Sequence, residues 1–186
     1  MGVDLMTVSS HKIHGPKGVG ALYVKKGVRL SPIVFGGLQE EKLRPGTQPM
    51  PAIAGFGAAA AALPNLTAQL KKVTELRDYM CERLLSLGGV VINSPEDALP
   101  YVTNISVLGI NSEPMLNFLS SCGVYVSSGS ACSKGHQSSV LKNMGLSDEV
   151  RKSPLRISFS RFTTKEEIDM LIDGISAGQK AIRKNK

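Results

Sequence analysis

Apolar residues recur along this chain with two different periods, and each period predicts its own kind of element. Val3 to Val8 (VDLMTV) and Val19 to Lys25 (VGALYVK) are short β-branched or apolar runs bounded by Gly, Pro and Ser, which predicts two strands. Leu66, Leu70, Val73, Leu76, Met80, Leu84 and Leu87 instead recur at helical spacing, with Gly88-Gly89 as the stop, and form one face of a long amphipathic helix. Alanine-rich Ala52 to Leu63 favours a preceding helix, and Pro64 marks a kink or the first turn of the next. Downstream, Val90 to Ile92, Tyr101 to Gly109, Val124 to Ser127 and Leu155 to Phe159 read as strands. Glu113 to Ser121 and Ser139 to Met144 read as short helices, the second ending at Gly145. The last helix spans Lys165 to Lys184, opened by a capping box of Thr164 and Glu167 and buried along Ile168, Leu171, Ile172 and Ile175. The whole is an α/β (α+β) pattern: a small mixed sheet packed with helices.

One segment breaks both periods. Ser31 to Pro51 carries prolines at 32, 45, 49 and 51 and glycines at 36, 37 and 46, which predicts a long irregular loop. Loops of that length inside compact domains are usually functional or disordered.

Composition narrows the function classes. With 186 residues and 42% hydrophobic content the chain can bury a core. No apolar run reaches the roughly 20 residues of a membrane span, and the N-terminus lacks the tripartite pattern of a signal peptide. A cytoplasmic protein without membrane contact is expected. The net charge of +7 raises nucleic acid as a partner, but the basic residues are scattered apart from the tail AIRKNK, and no recognition motif accompanies them. Solvation or a small anionic ligand explains the charge as well. Cys81, Cys122 and Cys132 are odd in number and widely spaced, so they suggest reduced thiols and not a disulfide framework. Cys81 lies beside the helical stripe and reads as structural, and Cys122 as a semi-buried spacer before Gly123.

Two loops hold candidate chemistry. SSHKIHGPKGVG, Ser9 to Gly20, places Lys12 between a strand and a Gly-Pro loop, where an ordinary surface charge is the first reading and the rest of the sequence has to overturn it. VSSGSACSKGHQSS, Val126 to Ser139, sets Cys132 among small polar residues that can hardly pack a core. That thiol is either a harmless surface cysteine or a nucleophile activated by Lys134 or His136. A Cys132/His136 zinc site would have only two nearby ligands, so no metal is expected.

SSHKIHGPKGVGALYV, RPGTQ, SSGSACS and LRISFSRFTTKEEID, in this order, resemble the C-terminal half of a cysteine desulfurase, within the class V aminotransferase family of pyridoxal-phosphate enzymes of fold type I. The match runs from Val3 almost to the end. The resemblance implies that Lys12 bonds pyridoxal 5'-phosphate as an imine and later moves protons at the substrate α-carbon. It likewise implies that Ser9 and His11 hydrogen-bond the cofactor phosphate. Thr47 resembles a threonine that reaches the phosphate of the neighbouring subunit, so a homodimer is implied. Cys132 resembles the nucleophile that takes sulfur from L-cysteine, leaving L-alanine and a persulfide for an acceptor or scaffold protein, as in iron-sulfur cluster assembly or tRNA thiolation. Arg156 resembles the arginine that grips the substrate carboxylate, a task suited to its bidentate fork. His14 stands where many relatives have an aromatic residue, so packing is expected of it.

Such enzymes are roughly twice this length, and the half not matched supplies the ring-stacking histidine and the acidic partner of the ring nitrogen. Residues 1–51 are therefore expected to be the end of the large cofactor domain, and 52–186 the small C-terminal domain. The isolated chain is expected to be inactive, with its first two strands deprived of parallel neighbours and disordered, swapped or paired between subunits. A selenocysteine lyase or another aminotransferase-like enzyme on the same scaffold, and a non-enzymatic docking module, are the alternative readings.

Overall fold

The computed structural model describes residues 2–129 and 139–183. They fall into two compact units, Met1–Leu66 and Thr67–Lys186.

In the first unit β1 (Leu5–Ser9) and β2 (Gly20–Val24) pair with each other, antiparallel, Leu5 opposite Val24 and Ser9 opposite Gly20. The two strands are thus ordered and paired with each other, which corrects the expectation of disorder. Ten residues separate them, too few for the crossover a parallel pair needs, so the chain turns back through a 3-10 turn at Ser10–Ile13. The salt bridge of Lys25 to Asp4, at 2.8 Å, closes the open end. Leu5, Leu22 and Val24 share one face, and Met6, Val8 and Tyr23 the other, and nearly all of these are exposed. Apolar residues on both faces are the signature of a strand built for burial from two sides. A two-stranded pair without such cover is marginal in water.

The proline-rich stretch is irregular as expected, with a single 3-10 turn at Gln39–Lys42 in which Glu40, Glu41 and Lys42 all take positive φ. Left-handed backbone at residues with a Cβ costs about 1–2 kcal/mol each. Helix α1 (Met50–Ala61) follows, and Gly55 is needed where a Cβ would meet the Pro16 ring at 2.7 Å. Because the units divide after Leu66, α1 lies in the first of them.

The second unit opens, after Leu66, with α2 (Leu66–Ser86), then β3 (Val90–Ile92), β4 (Val102–Val107) and α3 (Ser112–Ser121). After the undescribed stretch come α4 (Ser139–Asn143), α5 (Asp148–Lys152), β5 (Pro154–Ser158) and α6 (Lys165–Ala181). The sheet has the order β3-β4-β5, and both pairings are antiparallel where a mixed sheet was expected. Strand alternation sorts its faces: Ile105, Val107, Leu155 and Ile157 enter the core, while Asn104, Ser106 and Arg156 point the other way. On the core face lie Val73, Met80 and Leu84 of α2, Met115 and Leu119 of α3, and Ile168, Leu171, Ile172 and Ile175 of α6. Each such side chain contributes roughly 1.5–3 kcal/mol when fully buried. Leu66 and Leu70, the first members of the α2 stripe, stay exposed.

Helix α6 approaches α3 closely because Gly174 and Gly178 recur four residues apart. A Cβ on Gly174 would meet Leu119 at 2.8 Å, and one on Gly178 would meet Met115 at 2.7 Å. The Thr164/Glu167 capping box is present, each side chain accepting the other residue's amide. Tyr79 of α2 donates to Asp169 of α6 at 2.6 Å, a bond that raises the phenol pKa above its ordinary value.

Three local expectations are corrected. Val124 to Ser127 forms no strand, only a single bridge from Ser127 to Arg156. Cys122 is exposed and not semi-buried, because as the C-cap of α3 its backbone serves Phe118 and Leu119 while its side chain faces outward. His14 is exposed where packing was expected, and takes the left-handed cap of the 3-10 turn.

Thr164→Ala, which removes one half of the capping box, is expected to lower the unfolding free energy of the second unit by about 1 kcal/mol, read as a reduced urea midpoint. Amide hydrogen exchange is expected to separate the sheets, with Ile105 and Leu155 strongly protected and the β1–β2 amides exchanging fast. Equal protection in both would contradict the account of the hairpin as uncovered.

Candidate functional site

The sequence-predicted residues divide between the two units. In the first, β1 delivers the chain into the 3-10 turn, so Ser9, His11 and Lys12 follow one another where the strand ends. The turn is held by Ser10, whose amide donates to Val19 and whose carbonyl accepts from Gly15. Ser10 itself is fully buried, and a Cβ on Gly15 would overlap its hydroxyl, so the Gly after His14 is required by packing. With Ser10 turned inward, Ser9, His11 and Lys12 are left exposed. The Ser9 hydroxyl makes no capping bond although it stands at the N-cap position. Thr47 is also exposed, in the loop where Pro45 is buried and the Gly46 amide donates to the Gln39 side chain at 3.2 Å.

This donor set fits pyridoxal phosphate. It offers a primary amine for the aldehyde, and an imidazole and hydroxyls for a phosphate dianion, with no acidic side chain in the Ser9 to Gly15 turn to repel the anion. Lys12, Ser9, His11 and Thr47 are the groups that would hold it.

In the second unit Arg156 sits on β5 between buried Leu155 and Ile157, so alternation turns it to the polar face. Its Nε is buried and has no hydrogen-bond partner among the described residues. A buried guanidinium donor without an acceptor is costly unless a ligand supplies one. On the same face Asn93 donates to Asn104 at 2.7 Å and to Ser106 at 2.8 Å, and Ser106 donates to the Val150 carbonyl at 2.8 Å, while the Asn93 Oδ1 acceptor is, like Arg156 Nε, buried without a partner among the described residues.

Ser127 is the residue that sequence reasoning missed. Its amide donates to the Arg156 carbonyl at 3.2 Å and its carbonyl accepts the Arg156 amide. Its hydroxyl also donates to the Gly129 carbonyl at 2.9 Å and accepts from the Gly129 amide at 3.3 Å, folding the chain at the start of the cysteine segment. The serine-glycine sequence was the available signal, since serine hydroxyls bond the backbone two residues on. Cys132 lies outside the described residues, as do Lys134 and His136. Cys81 is half-buried, and that burial pushes its thiol pKa up, which makes it a slow nucleophile at neutral pH.

Comparison with known proteins identifies the family. The chain is 42% identical over 176 residues to a cysteine desulfurase of Nostoc sp., covering 92% of this chain and 44% of that protein. A protein called cysteine desulfurase IscS from Dictyoglomus turgidum is 37% identical over 178 residues, again with 45% of its length covered. Among solved structures, a NifS-like protein superposes with a TM-score of 0.86 at 35% identity, over 97% of this chain and 47% of that one. The chain therefore spans less than half the length of the relatives it matches. Residues 1–171 match the class-V aminotransferase family, and the chain belongs to that family of pyridoxal-phosphate-dependent proteins.

Proposed function

We propose that this chain carries part of a cysteine desulfurase site, the part that bonds the cofactor aldehyde, grips the substrate carboxylate and receives the sulfur. The observation that carries the reading is the Ser127–Arg156 bridge. It fixes the residue five positions before Cys132 directly on the residue with a buried, unanswered donor. Five residues reach at most about 18 Å, which bounds the distance of Cys132 from that bridge.

The proposed roles follow from the side chains. Arg156 binds the carboxylate of L-cysteine through its fork and fixes the amino acid's orientation. Lys12 holds the cofactor and, once displaced by the substrate amine, serves as the base and acid at the α-carbon. Ser9, His11 and, from a second subunit, Thr47 hold the phosphate, which makes a homodimer the working form. When bound, pyridoxal phosphate supplies an electron sink that weakens bonds at the substrate carbons. Cys132 attacks the substrate sulfur: the Cβ–S bond breaks, an S–S bond forms, and the products are L-alanine and a Cys132 persulfide. The persulfide passes to a sulfur-acceptor or scaffold protein. Residues 1–51 are assigned to the large cofactor domain and 52–186 to the small one, and the site works in the cytoplasm. The uncovered β1–β2 pair supports the view that the chain alone does not turn over.

Treatment of the chain with pyridoxal phosphate and borohydride, followed by peptide mass mapping, is expected to concentrate the reduced adduct on Lys12. Lys12→Ala is expected to remove both that adduct and the imine absorbance, and the untreated chain to release no sulfide from L-cysteine. An adduct spread evenly over the exposed lysines, or unchanged absorbance in the variant, would contradict the proposal.

A further inference from the structure

A concave site lies in the second unit, built without any of the residues proposed for the cofactor, the substrate or the sulfur. Between the latter half of α2 and residues 92–103 is a cavity of about 620 Å³. Half-buried Cys81 and Ile92 line it, together with Leu85, Leu99 and Val102, which are 56%, 67% and 44% exposed. Three large aliphatic side chains around one cleft form a patch and not a scatter of single exposed residues.

The cleft is preorganised. Arg77 donates to Asp78 at 2.7 Å and to the carbonyl of Glu96 at 3.1 Å, so the 94–99 loop is tied to α2. Thr103, also in the wall, is 1% exposed and its hydroxyl has no partner among the described residues. The rim is acidic. Glu96 lines the cleft, Asp97 follows it, and Glu82 lies one turn from Asp78 on the same side of α2; all three are exposed. The one cation in the lining, Arg77, is already engaged by Asp78 and backbone carbonyls. In a chain of net charge +7 this is a local reversal of sign. An apolar floor inside an acidic rim complements a basic amphipathic segment.

We propose that this cleft docks a basic amphipathic peptide segment of a partner protein, with an aliphatic anchor seated between Cys81 and Val102 and flanking Lys or Arg side chains on Glu82, Glu96 and Asp97. The site is independent of the desulfurase reading.

Cys81 provides the footprint and exposed Cys122 the internal control. The probe is a synthetic amphipathic peptide of leucine, lysine and arginine, with a glutamate-substituted twin. Alkylation by N-ethylmaleimide is followed by peptide mass mapping on the full chain. The basic peptide is expected to slow Cys81 labelling about tenfold at saturation and to leave Cys122 unchanged. Glu96→Lys/Asp97→Lys is expected to weaken that protection about tenfold, and added salt to weaken it in the wild type. Four results would overturn the proposal: no protection of Cys81, equal protection by the acidic twin, protection that survives the double charge reversal, or protection that appears with rising chain concentration alone, which would make a second copy the occupant.

Discussion

The two-residue period of β5 is the constraint on which the second unit turns. Leu155 and Ile157 must enter the core with Ile105 and Val107, against Met80 and Leu84 of α2 and the Ile168–Ile175 face of α6. A one-residue slip in register would place a guanidinium among these side chains, a substitution no aliphatic core tolerates without a paired anion. The core therefore decides that Arg156 faces away from it, and the Ser127 bridge decides what chain lies beside it. Hydrophobic packing and the proposed carboxylate recognition would be two faces of the same five residues.

The same logic, applied to the first unit, gives a different result. β1 and β2 are apolar on both faces, so no face is left for water, yet the described residues cover neither. Three consecutive left-handed residues in the Gln39–Lys42 turn add a further cost. What the turn does secure is local: Ser10 buried, Gly15 without a side chain, and therefore Ser9, His11 and Lys12 turned outward together. The second unit, by contrast, has a continuous buried core among the described residues and closes its helices with a capping box and the Tyr79–Asp169 bond. The cleft beside α2 belongs to that unit.

Much of this was legible in the residues, for physical reasons that differ by element. The α2 stripe, the α6 capping box, Gly145 and the LRISF strand follow from local periodicity and cap chemistry, and they stand within a residue or two of where these signals placed them. The α2 stripe overreached at Leu66 and Leu70, because periodicity reports which face is apolar and not which turns find a partner. Val124 to Ser127 has strand composition but only one bridge, since pairing depends on what lies alongside. Short α5 went unread, its five residues being fewer than a turn and a half and too few for a period to register. At the site, Arg156 and the Lys12 turn were visible as motifs, while the Ser127 bridge joins residues 29 positions apart and has no sequence period.

The central claim is that Arg156 presents an anion site to the chain segment that carries Cys132. Paired alkylation rates test it most directly: iodoacetate against iodoacetamide, resolved by peptide mapping at Cys132 and at Cys122. The account predicts a higher iodoacetate-to-iodoacetamide ratio at Cys132 than at Cys122, and its fall to the Cys122 value in an Arg156→Gln chain of unchanged thermal midpoint. A ratio at Cys132 that matches Cys122 in the wild type, or that survives loss of the guanidinium, would contradict it.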